Sequence, residues 1–288
     1  MMGFGTAISR AWKEYKLNFV SILTLVLVFS VVPLLIVGFI GHYFVPSELI
    51  NQQKEMTTKL QSFNVTEANS LTDAQKQEIE QLYLSNFSLM LKMVPFFIIM
   101  LVLYILMFLF YFFGVIGLIK SAFRSNFNFS DAIRNAKRLY WKALRLIIVE
   151  CFFVLVIGLV VLLIAVILKL VDTSGILLII WIILSICFFV WFLFSIAFSI
   201  YILVDEEGKV WSTLKKSFIL LRGKWWITFA KTLLFVLFSI LFYTIVGALV
   251  YFLFNEQLVI SVLGSLIVYP IGILFYKNLY LELKSKSR

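Results

Sequence analysis

Glu150 and Lys231 lie inside long apolar runs of this chain, and ionisable residues in such places are the usual pointers to chemistry in a membrane-embedded protein. Each stands eighteen residues after the opening of an amphipathic stretch, at Ala132 and Thr213 respectively. Equal offsets imply similar depth, one to two helical turns inside the interface. An acid and a base at that level are expected to face one another as an intramembrane ion pair. The competing arrangement has each snorkelling alone, Glu150 towards Arg145 and Lys231 towards lipid headgroups. Even as a pair, the two supply a structural contact more readily than transport.

Other chemistries find less support. His42, the one histidine, sits beside Tyr43 at the outer end of the first apolar run, and a metal site needs several convergent ligands. The sequence offers no cluster of Asp, Glu and His, no Gly-rich phosphate loop, no paired-Cys motif and no serine in a nucleophile setting. No catalytic residue, metal or cofactor is therefore expected. Asp205-Glu206-Glu207-Gly208 reads as a solvated turn, because three adjacent carboxylates do not converge on one point. Cys151 and Cys187 lie within apolar runs and read as small packing residues.

The elements that must position these residues follow from composition. The chain has 288 residues, of which 62% are hydrophobic and 14% charged, and its mean hydropathy is +1.04. A soluble domain of this size carries about a quarter charged residues, so the fold class is an all-α polytopic membrane protein. Six runs are long enough to cross a bilayer: 19–43, 94–119, 144–168, 176–204, 227–254 and 258–276. Pro33 is expected to kink the first, which neighbouring helices tolerate in lipid. Lys and Arg concentrate on one side, with 20 of the 25 at the N-terminus, the second and fourth connections and the C-terminus. Basic residues mark the cytoplasmic side, which places both termini there in a cell membrane. The net charge of +10 thus belongs to membrane flanks and not to a nucleic-acid surface.

Three amphipathic stretches precede spans, beginning near Ala7, Ala132 and Thr213. Each is expected to lie on the cytoplasmic surface, apolar side in the acyl boundary and cations among lipid phosphates. Arg10, Lys13, Arg134, Arg138, Lys142, Lys215, Lys216 and Arg222 are the candidate contacts with anionic headgroups. The chain is then one membrane domain built from three repeats of a surface helix and two spans: 1–125, 126–208 and 209–288. The first is longer because it carries an insert at 45–92, expected as a helical hairpin of Ser47–Phe63 and Thr72–Lys92 that could meet an external protein partner. Thr72-x-x-Gln75 is a capping box for its second limb. Ser195-x-x-x-Ser199 and Ser261-x-x-x-Ser265 suit close helix packing, and Trp141, Trp225 and Trp226 suit the interface.

Glu207-Gly208 after a span, Leu214-Lys215-Lys216-Ser217, Gly223-Lys224-Trp225-Trp226, and Pro270 leading to Tyr276 and Leu279-Tyr280 complete a pattern. With the threefold plan, it resembles the membrane domain of glycerophosphoryl diester phosphodiesterases and related uncharacterised six-span families of bacteria and archaea. The similarity covers most of the chain apart from 45–92. In that group phosphodiester hydrolysis belongs to a separate soluble domain, so the resemblance implies a helical membrane module and no catalytic residue. The expected role is a non-enzymatic scaffold or accessory factor in lipid or envelope processes. The alternative is a small transporter or permease subunit, recognisable by a hydrated cleft lined by Glu150, Lys231, Ser30 or Ser195. An intramembrane lipid enzyme would need His42 or Glu150 to converge with another acid or a nucleophile.

Overall fold

Uninterrupted runs of Leu, Ile, Val and Phe become helices in lipid, because there only a helix satisfies every backbone amide within one segment. A computed structural model describes residues 3–44, 51–52, 54–55, 58, 73–123, 127–171, 175–254 and 257–286. All regular elements among them are helical. They are α1 (Phe4–Leu17), α2 (Phe19–Val26), a π-helical turn (Leu27–Val31), α3 (Val32–Phe44), α4 (Asp73–Ala122), α5 (Phe129–Val171), α6 (Ile176–Ile196), α7 (Ser199–Glu206), α8 (Val210–Leu221), α9 (Trp225–Phe254) and α10 (Gln257–Ser285). Six described stretches are long and apolar enough to cross a membrane: Phe19–Ile40, Glu80–Ala122, Phe129–Val171, Ile176–Glu206, Trp225–Ala248 and Leu266–Ser285. This is the build of a multi-pass membrane protein, with many large apolar side chains turned outward, among them Phe152, Leu155, Leu159, Ile179 and Ile183.

Two compact units make up the chain: Val32–Tyr111, and Met1–Val31 together with Phe112–Arg288. The first contains α3 and most of α4, with Val37, Leu89 and Met93 buried. Its boundaries fall inside the first two spans and not at the edges of the 45–92 insert. The first limb of the expected hairpin, and Thr72 of its capping box, lie largely outside the described residues. The second limb differs from expectation: it does not end at Lys92, because α4 runs without a break from Asp73 through Pro95 to Ala122. No glycine or turn residue stands at 92–94 to stop it.

The second unit holds the core. The three amphipathic stretches bury small residues at matching places, Ala7, Ala132 and Thr213, then Ala11, Ala136 and Ser217. Small residues let helices approach closely. α1 packs on α10, α8 packs on α7, and a Cβ added to Gly117 at the end of α4 would stand 3.1 Å from the carbonyl oxygen of Ala132 in α5. Hydroxyls on two of these helices satisfy carbonyls where neighbouring helices are interrupted. Pro270 has no N–H to offer the carbonyl of Leu266 one turn earlier, and the Tyr15 hydroxyl donates to that carbonyl at 3.0 Å. The ladder between α6 and α7 breaks at Ala197–Phe198, and the Ser217 hydroxyl donates to the carbonyl of Ser195 at 2.5 Å.

The stretches leave their spans differently. α1 ends at Asn18, whose side-chain amide donates to the Glu14 carbonyl at 3.0 Å. α8 ends at Gly223, left-handed with φ 72, as C-terminal glycines commonly are. The expectation of a flat surface helix fails for the second stretch, because α5 is one helix of 43 residues. Nothing between Ala143 and Glu150 breaks a helix, so the amphipathic half continues into the span. At 1.5 Å per residue α5 is about 64 Å long, twice the bilayer core, and roughly half of it extends beyond the hydrocarbon.

Candidate functional site

The polar centre of the larger unit is the turn expected to be merely solvated. Asp205, Glu206 and Glu207 close α7, and Glu207 takes the left-handed conformation, φ 54, that turns the chain into α8. Carboxylates at a helix C-terminus oppose its dipole, so cations must gather there, and they come from four helices. Lys120 of α4 donates to Glu207 at 2.8 Å and to the Val204 carbonyl at 2.7 Å. Arg138 of α5 pairs with Glu207, and Lys142 reaches the Glu207 carbonyl at 3.2 Å. Lys216 of α8 pairs with Glu206. Lys284 of α10 bonds Asp205 at 2.6 Å and Glu206 at 3.1 Å, and the Tyr280 hydroxyl adds a bond to Asp205 at 2.8 Å. The three carboxylates diverge, as their adjacency requires, and divergence is what lets one turn hold several helices. The hydrogen bond from Lys120, helped by the positive charges of Lys120, Arg138 and Lys142, holds the Glu207 carboxyl below the usual glutamate range.

A second junction lies beside it. Lys277 of α10, 4% exposed, pairs with Glu14 of α1 and donates to the Ala122 carbonyl of α4 at 3.3 Å. Lys120 and Lys277 therefore each cap the last carbonyls of a neighbouring helix, a placement that its dipole favours.

The expected Glu150–Lys231 pair is not formed. Lys231 of α9 bonds Glu282 of α10 at 2.9 Å, with both side chains less than a tenth exposed, and Lys286 stands 3.8 Å from the same carboxylate. Glu150 of α5 instead accepts a hydrogen bond from Ser199 of α7. Each faces the helix that returns from its own span and not the other.

The eight candidate lipid contacts divide. Arg138, Lys142 and Lys216 bond the acidic turn while staying exposed, and Arg134 pairs with Asp131 three residues earlier. Arg10, Lys13, Lys215 and Arg222 are exposed and, among the described residues, have no carboxylate partner. Exposed tryptophans accompany them: Trp12 on α1, Trp211 on α8 and Trp226 at the start of α9.

Grooves open beside α1 and α8. One, of about 380 Å³, lies among α5, α6 and α8, walled by Phe153, Phe192, Trp211 and Phe218, with Glu150 and Lys215 as its charged lining. The other, of about 310 Å³, lies among α1, α9 and α10, walled by Trp12, Phe235, Phe238 and Phe242, and carries no charge. Leu214 and Phe218 line the first, and Ile8 and Trp12, one and five residues after Ala7 just as those follow Thr213, line the second.

His42 belongs to α3, its side chain outside the described residues, as are the side chains of Ser261 and Ser265. Among the described residues no three His, Cys, Asp or Glu groups converge as metal ligands, and Cys151 and Cys187 are exposed free thiols. Sequence reasoning missed Glu14, Lys120, Lys277, Tyr280, Glu282 and Lys284 as bonding partners. The available signal was in the last helix, where Lys277, Tyr280 and Lys284 follow helical spacing and so form a polar stripe in a span-like segment. Comparison with known proteins matches no family model, no curated protein and no solved structure.

Proposed function

We propose that the chain is a non-enzymatic membrane scaffold or accessory factor for lipid or envelope processes, held to the inner leaflet of the cell membrane by two surface helices. α1 and α8 lie in the interface, and Arg10, Lys13, Lys215 and Arg222 meet anionic headgroups there, each worth about 1 kcal/mol. One observation carries this reading: the cations without a carboxylate partner share their helices, or the turn that follows, with exposed tryptophans. That combination is the composition of an interfacial anchor. Both termini face the cytoplasm in this proposal, as the placement of Lys and Arg requires.

The same reading takes the chain as three repeats, of which the second has fused its surface helix to its span. Its support is the shared burial of Ala7, Ala132 and Thr213, then of Ala11, Ala136 and Ser217, and the equal spacing of Glu150 and Lys231 from their anchors. The resemblance to the membrane domain of glycerophosphoryl diester phosphodiesterases accords with a module that does no hydrolysis itself. An external partner at the 45–92 insert belongs to the same proposal. A transporter would line a hydrated cleft with Glu150, Lys231, Ser30 or Ser195, and the Lys231–Glu282 bond engages one of these.

Purified protein, stripped of excess lipid in mild detergent, should retain phosphatidylglycerol over phosphatidylcholine when both were offered equally. The triple variant Arg10→Glu, Lys13→Glu and Arg222→Glu should abolish that preference, measured by mass spectrometry of extracted lipid. Unchanged retention in the variant would overturn the anchor.

A further inference from the structure

We infer that the groove beside α8 binds a phospholipid whose headgroup carries both a phosphate and an ammonium, with the ammonium on Glu150, the phosphate at Lys215 and an acyl chain along the aromatic walls. The two grooves share place and size but not charge, and the argument begins from that difference. The groove beside α1 offers only Ser239 as a polar group. The groove beside α8 sets a carboxylate and an ammonium in the same lining, yet the two do not bond one another. An unpaired acid against apolar walls is unfavourable unless something meets it.

Glu150 is held for such a task. The Ser199 hydroxyl donates to its Oε1, and Ser199 is buried at the start of α7. Oε2 has no partner among the described residues. Two aromatic pairs line the same groove: Phe153 with Trp211, ring centroids 5.7 Å apart, and Phe192 with Phe218, 6.0 Å apart. Aromatic faces beside a carboxylate recognise an organic ammonium, which gains from both the ring quadrupoles and the charge. Lys215, exposed at the mouth, suits a phosphate. An anionic lipid without an ammonium would meet Glu150 as a like charge, and a neutral diacylglycerol would leave both charges unmet. The occupant that answers every polar group in the lining is therefore zwitterionic.

The groove shares Lys215 with the anchor, so its test is run in the Arg10→Glu, Lys13→Glu and Arg222→Glu variant, where phosphatidylglycerol is no longer held by the anchor and selectivity for an ammonium headgroup reads the groove alone. The test is native mass spectrometry of the full chain in detergent, titrated with phosphatidylethanolamine, phosphatidylglycerol and diacylglycerol of the same acyl chains. Phosphatidylethanolamine is expected to bind one per chain, about ten-fold more tightly than the other two, and Glu150→Gln should remove most of that margin. Trp211→Ala, on an exposed side chain, serves as the second variant and should weaken phosphatidylethanolamine several-fold without disturbing the fold. Equal binding of phosphatidylglycerol, or full selectivity retained in either variant with an unchanged elution profile, would overturn the inference. So would binding of phosphoethanolamine, without acyl chains, as tight as that of the lipid.

Discussion

The regions around α5 and around α8–α9 start from the same amphipathic pattern and put it to different use. In the first, the helix never breaks, and its cations Arg138 and Lys142, though exposed, bond the acidic turn at Glu207. In the second, Gly223 ends the helix, and Lys215 and Arg222 stay outward. Eighteen residues on, the polarity of the arrangement reverses: Glu150 stands open in a groove, while Lys231 is sealed against Glu282. On the proposed reading, the stretch that no residue stops becomes a strut and the one that Gly223 stops becomes an anchor, although each gives a cation, Arg138 or Lys216, to the same acidic turn.

The sealed pair gives the largest expected effect. Lys231→Met leaves Glu282 buried without its principal partner and should cost about 3–5 kcal/mol, as breaking buried pairs does. The combined variant Lys231→Met with Glu282→Leu should recover most of that loss, because no uncompensated charge remains. Thermal unfolding in detergent micelles reads both. A single variant as stable as the parent would mean that the pair is not closed off, and the contrast with Glu150 would vanish.

Gly223 comes next. No atom lies within 4 Å of where its Cβ would be, so only the left-handed φ of 72 resists a side chain. Gly223→Ala should cost about 1–2 kcal/mol. Gly158, within the unbroken α5, also has open space around it and carries no such backbone demand. Gly158→Ala should be neutral or stabilising by up to about 1 kcal/mol, the ordinary helix-propensity gain. Equal responses at the two glycines would remove the breaker from the explanation.

Much of this architecture was open to a reader of the sequence, and the limits have physical causes. Six spans were legible because hydropathy over about 20 residues is a property of the segment alone. The alignment of Ala7, Ala132 and Thr213 followed from spacing, but their burial against other helices did not, since the apolar faces were expected in the acyl boundary. Continuity of α5 was harder, since a surface helix meeting a span and one long helix share a pattern, and only Asn18 and Gly223 in the other copies hinted at the distinction. The acidic turn was misread because its partners, Lys120, Arg138, Lys216 and Lys284, are far apart in the chain and local reasoning saw only three carboxylates in a row. The partners of Glu150 and Lys231 were not legible, because counting along the chain gives a spacing while direction is set by packing.

The smallest effect separates cations that bond the acidic turn from outward cations by pH. Glu207 is charged in the folded chain and its pKa is lowered by Lys120 first, then by the neighbouring positive charges. A depressed carboxyl contributes stability that is present above the ordinary glutamate value of about 4.3 and is lost as pH falls through the folded value below it. The pairs around Glu207 are partly exposed, so the contribution is about 1 kcal/mol after solvent screening. Glu207→Gln should therefore lower the unfolding temperature slightly at pH 7, and the gap from the parent should close as pH falls below 4. Arg222→Gln, which removes an outward cation with no carboxylate partner, should track the parent across the same range. If Arg222→Gln shifted the acid limb and Glu207→Gln did not, the division between strut and anchor would be reversed.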